Sequence, residues 1–265
     1  MSGLLSRLLV AAAALPLVLG FVWLGGWWMF ALAAVVALLG LHEFYGVTRS
    51  LRPVVLAGYA GAAATILGSQ LGGVEWALGG FLSTFALAFV LKGISSTSQP
   101  TTVSVGATVL GAGWIGLGIA HVILIRAIAE NGRLASFTLL LAVFAADTAA
   151  FFVGRVFGRH KLAPNVSPGK TWEGFLAGSA ACIFVTWVAL YETGYVSGWR
   201  SLVLGAAIAL AAPIGDLFAS GLKRDLRAKD FGHVLGGHGG ILDRLDSVLF
   251  SAIAAYYVLA AYGAT

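Results

Sequence analysis

The sequence predicts an all-α fold: a polytopic integral membrane protein with about nine transmembrane helices and an active site at the cytoplasmic face. Hydrophobic residues make up 59% of the 265 positions, and the mean hydropathy is +0.93. Charged residues make up only 10%, whereas a soluble domain has about 25%. Apolar stretches of the length that a bilayer requires, about 20 residues, recur along the chain.

Nine such stretches alternate with short polar connections. The first run is followed by no Ala-x-Ala cleavage site, which favours an uncleaved first helix over a signal peptide. Only Gly25 and Gly26 separate the first two spans, so we expect a tight helical hairpin there. The predicted spans are residues 8–24, 27–46, 54–72, 75–91, 103–125, 134–154, 173–191, 201–220 and 242–262.

The distribution of lysine and arginine predicts the orientation. With nine spans, the N-terminus and the even-numbered connections share one side of the membrane, and that side holds 13 of the 16 cations. Only Arg126, Arg133 and Arg200 fall on the other side. Basic loops stay in the cytoplasm. We therefore expect a protein of the cell (inner) membrane whose N-terminus and active site face the cytoplasm and whose C-terminus lies outside.

Composition also limits the organisation and the partners. The single cysteine, Cys182, excludes an intramolecular disulfide. The cations lie between apolar spans rather than on a soluble face, so nucleic acid is not an expected partner. We expect N-terminal transmembrane helices in residues 1–130. Residues 131–265, with the loops 155–172 and 221–241, are expected to form the catalytic region.

Residues 220–247 concentrate charge to a degree unusual for this chain. These 28 positions hold five cations, four aspartates and two histidines. Ionised groups are expensive in hydrocarbon, so intramembrane charge usually marks a functional site. The segment indicates a site for a highly charged substrate.

Carboxylates from three predicted helices reach a similar depth near the cytoplasmic surface. They are Asp147, Asp216, and the pair Asp243 and Asp246, which share one helix face because they are three residues apart. Oxygen ligands of this kind suit Mg²⁺, which binds one or two carboxylates together with substrate phosphates. A structural alternative, in which these acids pair with nearby Arg or Lys to hold helices together, stays open.

The connection before the seventh span adds hydroxyls and a lysine: Ser167, Lys170 and Thr171. A P-loop is excluded because Pro164 stands where that motif needs glycine. The start of a helix nevertheless favours an anion, and Thr171 is a candidate N-cap. His238, between two glycine pairs, is interpreted as a phosphate donor, with metal-ligand and structural roles left open. His42 and Glu43 either line the site or lie at the membrane interface.

These residues resemble the phosphatidate cytidylyltransferase (CDP-diacylglycerol synthase) family, over residues 147–247. The N-terminal half is similar only in being apolar and multi-spanning. The matching motif positions are Asp147-Thr148, Gly154-Arg155, residues 167–174, Gly215-Asp216-Leu217, Ser220, Lys223-Arg224, Lys229-Asp230, His238-Gly239-Gly240, Asp243-Arg244 and Asp246.

The resemblance implies a Mg²⁺-dependent nucleotidyltransferase of phospholipid biosynthesis. It would transfer a cytidylyl group from CTP to phosphatidic acid, forming CDP-diacylglycerol and pyrophosphate. The metal would be held by Asp216, Asp243 and Asp246, with room for a second cation. The implied catalytic residues are Asp216, Lys223, Arg224, Lys229, Asp230, Asp243 and Asp246. The implied substrate-binding residues are Asp147, Ser167, Lys170, Thr171, Glu173, Ser220, His238, Gly239, Gly240 and Arg244.

Two other functions remain open at this point. A related CTP-dependent enzyme acting on an isoprenoid lipid or polyprenol would share the headgroup motifs. An ion-coupled transporter would also place acids in the membrane, although such proteins show internal repeats that this sequence lacks. A homodimer is compatible with the sequence, with CTP, phosphatidic acid and the lipid bilayer as the expected partners.

Overall fold

The computed structural model describes residues 3–95, 99–232, 234 and 239–265, with side chains from residue 14 onward. Within these residues, seven helical segments are long and apolar enough to cross a membrane, which confirms an α-helical, polytopic membrane protein. The helices are α1 Gly3–Leu24, α2 Gly26–Val47, α3 Val55–Ile94, α4 Thr101–Gly111, α5 Gly118–Ala127, α6 Gly132–Phe157, α7 Trp172–Leu190, α8 Trp199–Asp225 and α9 Leu242–Ala261.

The chain forms two compact units. The first unit contains Met1–Ala127 and Ala228–Leu245, and the second contains Ile128–Arg227 and Asp246–Thr265. The segment 228–245 belongs to the first unit because it packs against α2 and the helical stretch 101–127.

Helix α3 is a hairpin of two helical halves. Its 40 residues would extend about 60 Å if straight, twice the hydrocarbon thickness of a bilayer. Gly72 and Gly73 interrupt it with non-helical backbone angles, including a φ of 74° at Gly73, a value that glycine adopts without strain. Beyond the break the chain reverses, so that Gly80 lies against the backbone of Ala64. The sequence predicts this break, since the third and fourth spans were expected to meet at residues 72–75.

A π-helical turn joins α4 to α5 within one continuous apolar segment. The turn covers Ala112–Leu117. In the most apolar 18-residue stretch of the segment Thr101–Ala127, 72% of the residues are buried. The Trp114 ring lies 6.1 Å from that of Phe44 and 5.5 Å from that of Phe231. Single π turns inside helices are rare. This one contains Trp114, whose ring contacts Phe231 of the segment 228–245.

Arg126, in the last turn of α5, fixes the end of α1. Its Nε donates to the carbonyl of Val22 at 2.6 Å and its Nη2 to that of Trp23 at 3.0 Å. The last carbonyls of a helix have no intrahelical partner, and a cation there also complements the helix dipole. The turn between α1 and α2 passes through Gly25 at φ 67°, so the expected tight hairpin is present.

Small residues hold the second unit together. Gly178 of α7 lies against the Ala146 carbonyl and the Ala150 side chain of α6, and Gly174 lies against Gly154. In lipid, helices usually associate through the close backbone approach that small residues allow. The hydrophobic effect does not favour their association there, because the lipid tails are as apolar as the helix side chains. This packing brings α6 and α7 together along the same faces that line the cavity described below.

Two features of the second unit differ from the sequence prediction. The expected loop 155–172 contains an antiparallel hairpin of β1 Lys161–Ala163 and β2 Ser167–Thr171, with Pro164 and Asn165 as typical turn residues. Helix α8 continues to Asp225, beyond its predicted end at residue 220. Lys223 and Arg224 therefore lie in the last helical turn, where cations complement the helix dipole, and not in a loop.

Adjacent glycines in the second half of α3 provide a test of the hairpin. A Cβ at Gly80 would meet the backbone of Ala64 and Thr65, whereas one at Gly79 would meet nothing within 4 Å. We expect Gly80→Leu to destabilise the protein by about 1–3 kcal/mol through overpacking. Gly79→Leu should be neutral or stabilising by up to about 1 kcal/mol, because leucine favours helix. Thermal unfolding in detergent measures both; equal shifts for the two variants would contradict the hairpin.

Candidate functional site

The second unit contains a cavity of about 720 Å³ with a polar and an apolar part. The polar wall holds three cations, two acids and three hydroxyls: Arg155, Lys161, Lys170, Asp147, Asp216, Ser167, Thr171 and Ser179. The apolar wall is formed by small and aromatic side chains of α6, α7 and α8: Ala146, Ala150, Phe151, Phe175, Ala209, Ala212 and Pro213. The excess of cations over acids suits an anionic group.

The polar wall contains an ion pair between β2 and α8. The Lys170 ammonium lies 2.6 Å from Asp216 Oδ2, with 22% of the lysine and 35% of the aspartate side chain exposed. On the other side, Ser220 Oγ donates to Asp216 Oδ1 at 3.3 Å. Both oxygens of Asp216 therefore face side-chain donors, one of which is charged and forms the stronger bond.

The start of α7 is fixed by two side chains. The buried Thr171 hydroxyl accepts a hydrogen bond from the Gly174 N–H at 3.2 Å, which confirms the predicted N-cap. Glu173 Oε1 is hydrogen-bonded to His160 Nδ1 at 2.7 Å, and the carboxylate also accepts from the His160 backbone N–H. Glu173 thus fastens the entry of the β-hairpin to α7. It does not line the cavity.

Helices α8 and α9 approach closely at Gly215. A side chain there would meet the backbone carbonyl of Asp246. Asp246 is 8% exposed, its Oδ1 accepts from the Ser247 N–H at 2.8 Å, and it lies within electrostatic range of Asp216, Asp147 and Lys223. Arg224 Nε donates to the Val166 carbonyl in the hairpin turn at 3.3 Å.

The oxygen donors of the second unit suit a partly protein-held Mg²⁺. Asp147, Asp216 and Asp246 interact electrostatically, and carboxylate oxygen is the donor that Mg²⁺ prefers. In residues 3–95, 99–232, 234 and 239–265, no three His, Cys, Asp or Glu side chains form a complete metal cluster. Mg²⁺ usually takes one or two carboxylates and completes its shell with water and substrate phosphates. The donor set therefore fits this ion when substrate supplies the rest.

The first unit contains the other part of the charged segment. Asp243 Oδ2 accepts from the backbone N–H groups of Phe231 at 3.0 Å and of Gly240 at 3.1 Å. Gly239, at φ 81°, lies beside the carboxylates of Asp230 and Asp243. Lys229 and Arg244 are exposed. His238, the predicted phosphate donor, lies outside the described residues.

Glu43 is a residue whose role the sequence left open. It is 4% exposed and accepts from the N–H groups of Ile241 at 3.0 Å and Leu242 at 3.1 Å, whereas the neighbouring His42 is exposed. The signal in the sequence was a single acid near the end of an apolar span. The contact itself joins positions 198 and 199 residues apart, so local patterns could not reveal it.

Arg155 and Lys161 also line the cavity although the sequence analysis did not select them as site residues. Arg155 lies in the last turn of α6, and Lys161 is the first residue of β1. In the sequence, Arg155 stood out only as a family-motif position, and both residues were counted among the cytoplasmic cations. In the structure, both share the cavity lining with Lys170.

The chain is similar to known proteins over almost its whole length. The cytidylyltransferase family profile matches residues 5–262. The chain is 37% identical over 249 residues to a phosphatidate cytidylyltransferase of Mycobacterium bovis, covering 86% of this chain and 79% of that protein. It is 32% identical over 264 residues to the enzyme of that name from Brucella suis biovar 1, covering 97% and 93%. For that of Staphylococcus haemolyticus the identity is 30% over 248 residues, covering 92% and 94%.

The family profile extends well beyond the motif region, over spans whose sequence showed only apolar character. The resemblance inferred from residues 147–247 is therefore confirmed for almost the whole chain. The chain belongs to the cytidylyltransferase family.

Proposed function

We propose that this protein transfers a cytidylyl group from CTP to phosphatidic acid, forming CDP-diacylglycerol and pyrophosphate. The observation that supports it best is the cavity of the second unit, where a basic polar wall adjoins an apolar wall within a membrane-spanning helix bundle. A lipid phosphate needs both environments at once. The names of the bacterial relatives, phosphatidate cytidylyltransferases, support the same reaction.

The cations of the polar wall suit the phosphates of the two substrates. Arg155 lies in the last turn of α6, and Lys161 and Lys170 lie in the β-hairpin that follows it. Charge-assisted hydrogen bonds from such cations to phosphate oxygens are strong. Ser167 and Thr171 add hydroxyls. Lys223 and Arg224, in the last turn of α8, would neutralise charge on the leaving pyrophosphate. The acyl chains would enter from the bilayer along the small residues of α6, α7 and α8.

The reaction is a displacement at the α-phosphorus of CTP. A phosphate oxygen of phosphatidic acid forms the new P–O bond, and the bond to the bridging oxygen breaks as pyrophosphate leaves with the electron pair. A phosphate monoester is already largely dianionic at neutral pH because its second pKa is about 6. No strong general base is needed. Catalysis then consists of positioning and charge neutralisation, which the polar wall provides.

Mg²⁺ would be held by Asp216 and Asp246, with Asp243 assigned to the same role by the Asp-x-x-Asp spacing. A bound divalent cation would orient the triphosphate and offset charge that develops on its oxygens. Asp147, on the cavity wall, would complete the acidic surroundings. Lys170 lies 2.6 Å from Asp216, so the acid proposed for metal binding and a cation proposed for phosphate binding are immediate neighbours.

We further propose nine membrane spans with the polar end of the cavity in the cytoplasm. The two halves of α3 count separately, and the segment 101–127 counts once. The N-terminus and the connections between α6 and α7 and between α8 and α9 would face the cytoplasm, and the C-terminus the outside. The distribution of 13 cations against three supports this orientation.

The reaction is tested with purified protein, CTP, Mg²⁺ and phosphatidic acid, following pyrophosphate release. We expect Lys170→Gln to lower kcat/KM about 100-fold or more, the loss typical of one removed oxyanion donor. Arg159→Gln removes a cation from the same connection but away from the cavity wall, and it should keep nearly full activity. Turnover of a polyprenyl phosphate in place of phosphatidic acid would contradict the proposed acceptor.

A double-mutant cycle tests whether Asp216 and Asp246 serve one ion. Residues that act as a unit are not additive, so we expect the double Asp216→Ala/Asp246→Ala variant to lose little more activity than either single variant. Cytidylyl transfer across a Mg²⁺ titration provides the measurement, using variants with measurable residual rates. Multiplicative losses would argue against a shared ion, and full wild-type activity in excess chelator would remove the metal from the proposal.

Cysteine labelling tests the sidedness. In a Cys182→Ser background, we expect Asn165→Cys and Ala228→Cys to react with an impermeant maleimide only from the cytoplasmic side. Ser197→Cys should react only from outside. The neighbouring Gly198 is unsuitable for this substitution because its φ of 66° would strain a cysteine. Intact spheroplasts expose the outer face of the membrane to the reagent, and inverted vesicles expose the cytoplasmic face. Labelling of positions 165 and 228 from opposite faces would refute the nine-span arrangement.

A further inference from the structure

We infer that Glu43 of α2 is a positioning residue for cytidylyl transfer: it fixes the first turn of α9 and thereby holds Asp243 in place. This inference rests on the proposed function for its kinetic consequence. Its structural basis lies entirely in the first unit, where α2 and the segment 228–245 belong together.

The Glu43 carboxylate occupies the N-terminus of α9. Oε1 accepts from the Ile241 N–H at 3.0 Å and Oε2 from the Leu242 N–H at 3.1 Å. The first N–H groups of a helix have no intrahelical acceptor, and a negative charge there is stabilised by the helix dipole. Glu43 is therefore a cap supplied by another helix, distant in the sequence.

Burial makes this contact obligatory for both partners. Glu43 is 4% exposed and Leu242 is fully buried, so water cannot replace either group. A buried polar group without a partner costs stability, and hydrogen bonds to a carboxylate are stronger than those between neutral groups. The two N–H donors supply those bonds, and loss of the carboxylate would leave them unsatisfied.

Two glycines surround the carboxylate closely. A Cβ on Gly232 or on Gly240 would collide with the carboxylate atoms of Glu43. On the same helix, Gly40 makes room for the Leu242 side chain. Helix α2 thus contacts the start of α9 at two successive turns. Gly40 packs against it, and Glu43 accepts hydrogen bonds from it.

The position of Asp243 depends on the contact between Glu43 and the start of α9. Its Oδ2 accepts from the N–H of Gly240, the residue before Ile241, and from that of Phe231. Phe231 is itself buried against Trp114. When Glu43 releases Ile241 and Leu242, the backbone that supports Asp243 loses its fixed position. A misplacement of about 1 Å costs an enzyme about a hundredfold in rate.

Kinetics of Glu43→Gln and Glu43→Ala measure the effect. We expect kcat to fall about a hundredfold in Glu43→Ala while the KM for CTP stays within about threefold, because the cavity cations of the second unit are untouched. Glu43→Gln keeps the volume and one acceptor oxygen, so it should fall between Glu43→Ala and the wild type. His42→Gln, at the adjacent exposed position, is the matched control and should behave as wild type.

Hydrogen exchange measured by mass spectrometry gives a readout that does not depend on activity. We expect faster exchange of residues 239–246 in both Glu43 variants, with unchanged exchange in α7. Gly232→Ala provides a second route, since its methyl group displaces the carboxylate without removing it, and it should show the same local pattern. Unchanged exchange at 239–246, or uniform acceleration over the whole chain with a lower melting temperature, would overturn the inference.

The two possible failures are distinguishable. If the wild-type protein transfers no cytidylyl group to phosphatidic acid, the proposed function fails while the exchange data still decide whether Glu43 anchors α9. If the wild type is active and the Glu43 variants retain its kcat, the positioning role fails alone.

Discussion

The cost of an ionised group in hydrocarbon is the constraint on which this structure depends. Three buried or half-buried charged side chains illustrate this, since each has an identified partner. Lys170 pairs with Asp216, Glu43 binds two N–H groups at the start of α9, and Arg126 binds two carbonyls at the end of α1. Because unpartnered charge is so unfavourable there, these pairings fix which elements must meet, and in which register.

Such contacts are possible only where backbones come close. Glycines allow this close approach next to charged side chains and the cavity. Gly154 and Gly174 lie beside the cavity, Gly215 beside Asp246, and Gly232 and Gly240 around Glu43. In lipid, small residues are also the principal means of helix association. The same substitutions that would loosen the packing would therefore move the charged groups, so stability and site geometry are coupled in this protein.

Hydropathy alone predicted the helices well, including the break of α3 near Gly72, because bilayer thickness imposes a length that the sequence must satisfy. It did not predict the β-hairpin at Lys161–Thr171, a short polar segment without an apolar period. The extension of α8 through Lys223 was missed for a related reason, since charged residues after an apolar run look like loop although a helix can continue into water. Glu43 was left open because its partners are determined only by tertiary packing.

The two aspartates central to the proposal are held in physically different ways. Asp216 is bound by the side chains of Lys170 and Ser220, which can change rotamer and take other partners. Asp243 is bound by the main-chain N–H groups of Phe231 and Gly240, which move only if the backbone moves. A rotamer change of Lys170 can therefore separate it from Asp216 without rearranging the fold, whereas reorienting Asp243 requires a change in the backbone. The carboxylate of Asp216 in the second unit is therefore held adjustably, and that of Asp243 in the first unit is held rigidly.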